Sequence, residues 1–290
     1  MIKLTITEAI KKEYIKTLKE VLQTSKIKKI SASTKRFYNM CKTIGFKSYS
    51  DIYNSLLINN NIKDTIRNYG EQSFDEKEYD IYDEFRKKWA FKLVKLLNLT
   101  TCPYCNRNFI VNFSKDSTTV ELDHFYPKNK YPYLAISLYN LIPVCHTCNH
   151  KKKEQKLKIY PYQESYNDYV DFSFTINSAT LEDVDSIDIK YSYKNETKHI
   201  RKKVNNYHKV LNIKPLYENH KDIVLELIQK KEIYPDSYID ELMKNYSGTI
   251  FSSRDELMRL ITCGYVNDDD INKRPLSKLI KDISEELEFV

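Results

Sequence analysis

The chain has 290 residues, a net charge of +7, 30% charged and 41% hydrophobic residues. These figures suit a folded globular protein that buries a core without disulfide staples, and they exclude a disordered or fibrous chain. No apolar stretch is long enough to span a bilayer, and the start "MIKLTITEAIKKEYIKTLKEVL" lacks a secretory h-region, so a cytoplasmic protein is expected.

The charge is unevenly spread: +8 over residues 1–100, +5 over 101–160 and −6 over 161–290. A basic first half suits a polyanion such as nucleic acid, and an acidic remainder suits solvent or a protein partner. None of the four glycines lies in a phosphate-cradling cluster, which excludes a Walker loop and a dinucleotide fingerprint. Any nucleotide-driven step would have to come from another protein.

Residues 2–24 and 32–58 read as helices, and "GEQSFDEKEYD" (70–80) as an exposed acidic connection. Residues 84–97 place Phe85, Trp89, Leu93 and Leu96 at helical spacing, the pattern of a core stripe. From residue 101 the texture changes. "FIVNF" and "TTVELDHF" are β-branched and aromatic, separated by the turn-like "SKDS", which is a hairpin signal. "NLIPV" leads into a cysteine pair that opens a lysine-rich helix. Beyond 160, "DYVDFSFTI" and "DSIDIKYSY" read as paired strands, followed by helices at 196–212, 215–233, 236–246, 252–263 and 275–288. The expected class is α+β and mostly helical. It comprises a basic helical region (1–98), a chemistry-bearing core (99–160) and an acidic, mainly helical region (161–290).

Six cysteines occur. Cys41 and Cys263 are isolated and expected as buried free thiols. Cys102 and Cys105 form "CPYC", and Cys145 and Cys148 form "CHTC". Two C-x-x-C pairs with no export signal point to a tetrahedral structural zinc rather than to disulfides. Between the pairs lies a second set. "ELDHFYP" carries Glu121, Asp123 and His124, "YNLIPVC" carries Asn140, and "CNHKK" carries Asn149 and Lys152. The set suits phosphodiester hydrolysis, which needs a base for water, a hard cation at the phosphate and cationic help for the developing charge. His124 is the candidate base. Asp123 and Asn149 are hard oxygen ligands for Mg²⁺ or Mn²⁺. Lys152 is a phosphate-directed charge, and Asn140 can fix the segment that aims His124.

Residues 102–152 resemble the HNH endonuclease family, the zinc-clamped ββα-metal nucleases, in "CPYC", "DHFYP", "NL" and "CHTCNHKK". The resemblance implies a ββα-metal core with a four-cysteine zinc site. By it, His124 matches the general base, Asp123 and Asn149 the catalytic metal ligands, Asn140 the orienting position and Lys152 the helix lysine. The founding pattern ends in His where this chain has Asn149, so Glu121, His146 and His150 stand as additional candidates. More loosely, the arm, the core and the tail "NKRPLSKLIKDI" are similar to HNH subunits of bacterial anti-phage systems that work with an ATPase, Septu-type among them. The function implied is metal-dependent DNA cleavage as a defence effector, with DNA and an ATPase subunit as partners. The competing reading is a zinc-stapled nucleic-acid-binding or scaffold protein without catalysis.

Overall fold

The computed structural model describes residues 2–22, 31–114, 117–177 and 183–290. The architecture is α+β and mostly helical, with three two-stranded antiparallel sheets among the described residues. The backbone divides into two compact units. One is made of Leu4–Leu99 and Ile110–Tyr162, the other mainly of Thr100–Phe109 and Gln163–Val290.

The first unit begins with α1 (Glu8–Leu22), α2 (Ala32–Ile44), α3 (Tyr49–Ile52), α4 (Ile62–Tyr69) and α5 (Ile81–Leu96). The expectation for residues 23–24 lies outside the described residues. α1 buries Ile10, Tyr14, Leu18, Val21 and Leu22, the single stripe that a 3.6-residue period produces. Tyr14 meets the edges of Phe85 and Trp89 on α5, and its hydroxyl donates to the Ile136 carbonyl at 2.6 Å. On α5, Phe85, Trp89 and Leu93 are buried as their spacing predicts, whereas Leu96 in the last turn is exposed.

The long helix expected over 32–58 is interrupted. Ser31 caps the N-terminus of α2 through the Thr34 amide, and Gly45, at φ 117, ends the helix. That conformation is open to glycine because it lacks a Cβ.

Four short strands follow in this unit: β1 (Asn112–Ser114), β2 (Ser117–Thr118), β3 (Val120–His124) and β4 (Leu141–Cys145). The expected hairpin is thus only partly kept. β1 and β2 form a short ribbon, and residues 115–116 lie outside the described residues. The strand that carries Asp123 and His124 pairs instead with "LIPVC", in register from Val120↔Cys145 to His124↔Leu141. The physical reason is burial. All five residues of β4 are buried, and the strand that pairs with them is β3. α6 (His146–Lys152) starts directly after β4.

The second unit contains β5 (Val170–Ile176) and β6 (Ile187–Tyr193), paired from Val170↔Tyr193 to Ile176↔Ile187. Its helices are α7 (Lys198–Leu211), α8 (Ile213–Glu218), α9 (Lys221–Ile233), α10 (Asp236–Tyr246), α11 (Arg254–Thr262) and α12 (Ser277–Glu286). The helix expected over 215–233 is two pieces, broken at Asn219 and His220. α12 is tied to β5 by a buried cation and anion. Asp282 accepts from the Lys278 ammonium at 2.5 Å and from the Phe172 amide at 2.8 Å. Burial pushes the Asp282 carboxyl up to about 6, against the pull of Lys278. Gly264 lets α11 turn towards α12, since a Cβ there would stand 2.7 Å from the Ile280 side chain. Of the isolated thiols, Cys41 is buried as expected. Cys263 is exposed, because it ends α11 in the left-handed conformation at φ 60.

Candidate active site and metal centre

The backbone around "CPYC" is shaped by Asn106. This buried residue sits at φ 50, a conformation asparagine tolerates better than most. Its amide donates to Thr101 Oγ1 at 3.2 Å and to the Ile271 carbonyl at 2.7 Å, while its Oδ1 accepts from the Lys278 amide at 2.9 Å. Its main-chain carbonyl accepts from the Leu276 amide at 2.6 Å. Tyr207 and Tyr217 donate to the Tyr104 and Cys105 carbonyls, each at 2.6 Å. The turn therefore takes its shape from residues far along the chain. The Arg107 amide points at Cys105 Sγ at 3.5 Å, and such a donor favours a thiolate.

Cys102, Cys105, Cys145 and Cys148 are all buried, and their four sulfurs lie within 4.8 Å of one another. A tetrahedral ion with sulfur ligands at about 2.3 Å needs sulfurs separated by roughly 3.8 Å. The donor set and its spread fit such an ion. Among the described residues, no other group of three or more His, Cys, Asp and Glu side chains comes together in this way.

The second centre is a cleft of about 410 Å³ in the first unit, lined by Glu121, Asp123, His124 and Asn149 together with residues of α5 and the loop after β3. β3 ends on Asp123 and His124, and both line the cleft with Glu121. The His124 imidazole packs on the Tyr82 ring at 4.4 Å between centroids, and the Tyr82 hydroxyl donates to the Leu122 carbonyl at 3.0 Å. His124 Nε2 lies 2.8 Å from the Ala135 carbonyl. A carbonyl can only accept, so Nε2 carries the proton and Nδ1 of the neutral ring is left with its lone pair.

Burial pushes the His124 imidazole down to about 3, with Lys128 and Lys152 adding to it and the Ala135 hydrogen bond opposing it. The ring is therefore neutral near pH 7, as a base must be. This shift has a consequence for stability. The unfolded ring takes a proton near 6.5, the folded ring only near 3. Between these values the unfolded state binds more protons, so the contribution of His124 is full above 6.5 and is lost as pH falls towards 3. Urea titrations at about pH 7 and about pH 4.5 are expected to show wild type losing more stability than His124→Gln. Equal losses would mean that the ring ionises freely in the folded state.

Asn140 is buried and locks the segment that follows His124. Its Oδ1 accepts from the Tyr126 amide at 2.8 Å, and its Nδ2 donates to the Tyr126 and Leu134 carbonyls at 3.0 and 3.1 Å. The Phe125 amide donates to its main-chain carbonyl at 2.9 Å. This turn supports the Ala135 carbonyl and hence the ring of His124.

Lys152 is placed differently from its sequence expectation. It is fully buried, and its ammonium donates to Asp123 Oδ1 at 2.9 Å and to the His124 carbonyl at 2.8 Å. A phosphate-facing lysine is replaced here by a buried ion pair that pins α6 to β3. Its side chain reaches back to β3 and does not line the cleft, although Asn149, one turn earlier on α6, does. Removing one partner of a buried pair costs about 3–5 kcal/mol, because the other charge is left unpaired. Lys152→Met is expected to lose about that much in urea unfolding, and the added substitution Asp123→Leu to recover most of it. An unchanged midpoint for Lys152→Met would remove this anchoring role.

Glu121 accepts from His146 Nδ1 at 2.7 Å and from Asn149 Nδ2 at 2.5 Å. Burial pushes its carboxyl up, but these two hydrogen bonds outweigh the burial and hold it below the usual range. With Nδ2 engaged, the Asn149 amide turns its Oδ1 away from Glu121. His146 is exposed, and the same contact raises its imidazole above the usual range. His150 is exposed and stacks on His146 at 5.9 Å. Neither histidine lines the cleft. Sequence reasoning missed Tyr82, Ala135 and Asn106. Tyr82 lies outside the motif, Ala135 acts through its backbone, and Asn106 reads as an ordinary turn residue.

A strand-borne Asp–His pair, a helix entered from the facing strand and a four-cysteine group thus fall within one stretch of the sequence. Residues 102–155 match the HNH endonuclease family. A curated relative, the Septu protein PtuB of Bacillus thuringiensis, is 27% identical over 110 residues, covering 35% of this chain and 41% of that protein. The chain thus spans less than half the length of the curated relative it matches. No solved structure matches the chain.

Proposed function

We propose that the chain is a metal-dependent endonuclease that hydrolyses DNA phosphodiester bonds and serves as the nuclease of an anti-phage defence system. The observation that carries the reading is the tie between His124 Nε2 and the Ala135 carbonyl, which leaves Nδ1 as a base in a cleft that also holds Asp123, Glu121 and Asn149. The match to the HNH endonuclease family supports the chemistry, and the similarity to a Septu protein supports the setting.

In this reading His124 Nδ1 takes the proton of the attacking water, and the product keeps its phosphate on the 5′ side and a hydroxyl on the 3′ side. Asn140 and Tyr82 hold the imidazole in place. Lys152 fixes Asp123 in direction. Glu121 turns the Asn149 oxygen towards the cleft. A divalent cation, Mg²⁺ or Mn²⁺, held by Asp123 and Asn149 would supply positive charge for the phosphate and leaving oxygens. Cys102, Cys105, Cys145 and Cys148 would hold a structural Zn²⁺, in keeping with a reducing, cytoplasmic setting.

The proposed division of labour puts the chemistry in residues 99–160, with DNA as the partner of the basic segments. The acidic segment 161–290 would meet an ATPase subunit, since the chain has no Walker motif of its own. No helix of the described residues is long and apolar enough to cross a membrane. The test is incubation of supercoiled plasmid, and in parallel a structured RNA, with Mg²⁺ or Mn²⁺. Nicked or linear plasmid supports the reading. Cleavage of the RNA alone would move the substrate, and no cleavage in any cation would favour a scaffold.

A further inference from the structure

The cleft has a charge pattern that the HNH-like segment does not supply by itself. Its lining holds four carboxylates, the buried or half-buried Asp123 and Glu121 on β3 and the exposed Glu76 and Glu154. Its lining also includes three cations from three separate elements: Arg86 on α5, Lys128 in the loop after β3, and Lys153 just past α6. Arg86 lies outside the matched segment 102–155. It is exposed, and among the described residues its guanidinium makes no hydrogen bond or ion pair. This is unusual for an arginine beside two carboxylates. It is near enough to Glu121 to help draw that carboxyl down, yet it does not close on it.

The other two cations are held in place. The Lys128 ammonium stands 5.0 Å over the Tyr82 ring. Lys153 sits at φ 46, a backbone conformation that strains a residue with a Cβ and that persists where surrounding structure imposes it. Its amide caps α6 on the Asn149 carbonyl at 2.9 Å. Carboxylates and cations that line one cleft match a phosphodiester and its cation together. The carboxylates suit the cation, and the rim suits the non-bridging oxygens. An arginine with its planar fork unoccupied is the side chain best shaped to grip such oxygens.

We propose that Arg86 is a catalytic residue of this site, gripping the non-bridging oxygens of the phosphodiester in the cleft, with Lys128 and Lys153 holding the backbone at the rim. This rests on the phosphodiesterase reading above. It also gives α5 a task beyond packing, because the helix carries Trp89 into the core and Arg86 to the cleft.

The experiment compares Arg86→Ala and Arg86→Lys with Lys88→Ala, an exposed lysine of the same helix that does not line the cleft. Plasmid cleavage by Arg86→Ala is expected to fall about 100-fold or more in kcat, the scale of losing one donor to a developing charge. Arg86→Lys should fall between, and Lys88→Ala should stay near wild type, all with unchanged melting temperatures. DNA binding is then measured against salt in a His124→Ala background. Loss of one phosphate contact lowers the slope of log affinity on log salt by about 0.9. Arg86→Ala that cuts like Lys88→Ala and keeps the full slope would overturn the inference. If wild type cuts no DNA in any cation, the reading above fails by itself, and the salt slope still decides whether Arg86 meets a phosphate.

Discussion

His124→Ala is expected to cut supercoiled plasmid about 10²- to 10⁴-fold more slowly than wild type, the range that a positioned base contributes. The effect should fall on kcat. The ring reaches the cleft only with its Nδ1 side, because Nε2 is committed to the Ala135 carbonyl. DNA affinity, read with an uncleavable duplex, should change little. The lost group is a proton acceptor and not a phosphate clamp. The variant should also keep its fold, since Tyr82 retains its own hydrogen bond to the Leu122 carbonyl. Wild-type cutting by a folded His124→Ala would end the assignment of this base.

The second large effect concerns the four sulfurs. Zinc held by cysteines is bound with an apparent free energy of about 10–16 kcal/mol in small domains at neutral pH. That is comparable to the whole stability of a typical domain, about 5–15 kcal/mol. Cys148→Ser is therefore expected to purify with far less than one zinc per chain and to melt about 10 °C or more below wild type, as a loss of several kcal/mol implies. Strong chelators should do the same to the wild-type protein. Cys41→Ser makes the control, since Cys41 is buried and belongs to no cluster. It should lose stability through packing while keeping its metal. Stoichiometric zinc in Cys148→Ser would show that the four thiols are not one site.

Much of this arrangement could be read from residue order. Two C-x-x-C pairs announce a four-sulfur group whatever lies between them, because each tight turn presents two thiols to one side. The Asp–His step at a strand end and the Asn after "CHTC" follow the same local logic. The stripe on α1 and the β5–β6 pair were likewise visible as periods of 3.6 and 2. The misreadings share a cause. Lys152 looked like a phosphate ligand because its place in a motif says nothing about which way a helix faces. The strand "TTVELDHF" looked like half of a local hairpin because sequence distance favours the near partner. The buried "LIPVC" outcompeted that partner.

By itself, the sequence determined the chemical inventory: four thiols, one imidazole beside a carboxylate, and an amide on the helix that follows. Those are local facts, carried by residue type and short spacing. Tertiary structure alone decided which nitrogen of His124 is available, which lysine is buried and which arginine of the cleft has no partner among the described residues. Each of those depends on a carbonyl, a carboxylate or an empty space contributed by a segment tens of residues away. Hydrogen bonding and desolvation are set by what surrounds a group in space, and the chain has to fold before those surroundings exist.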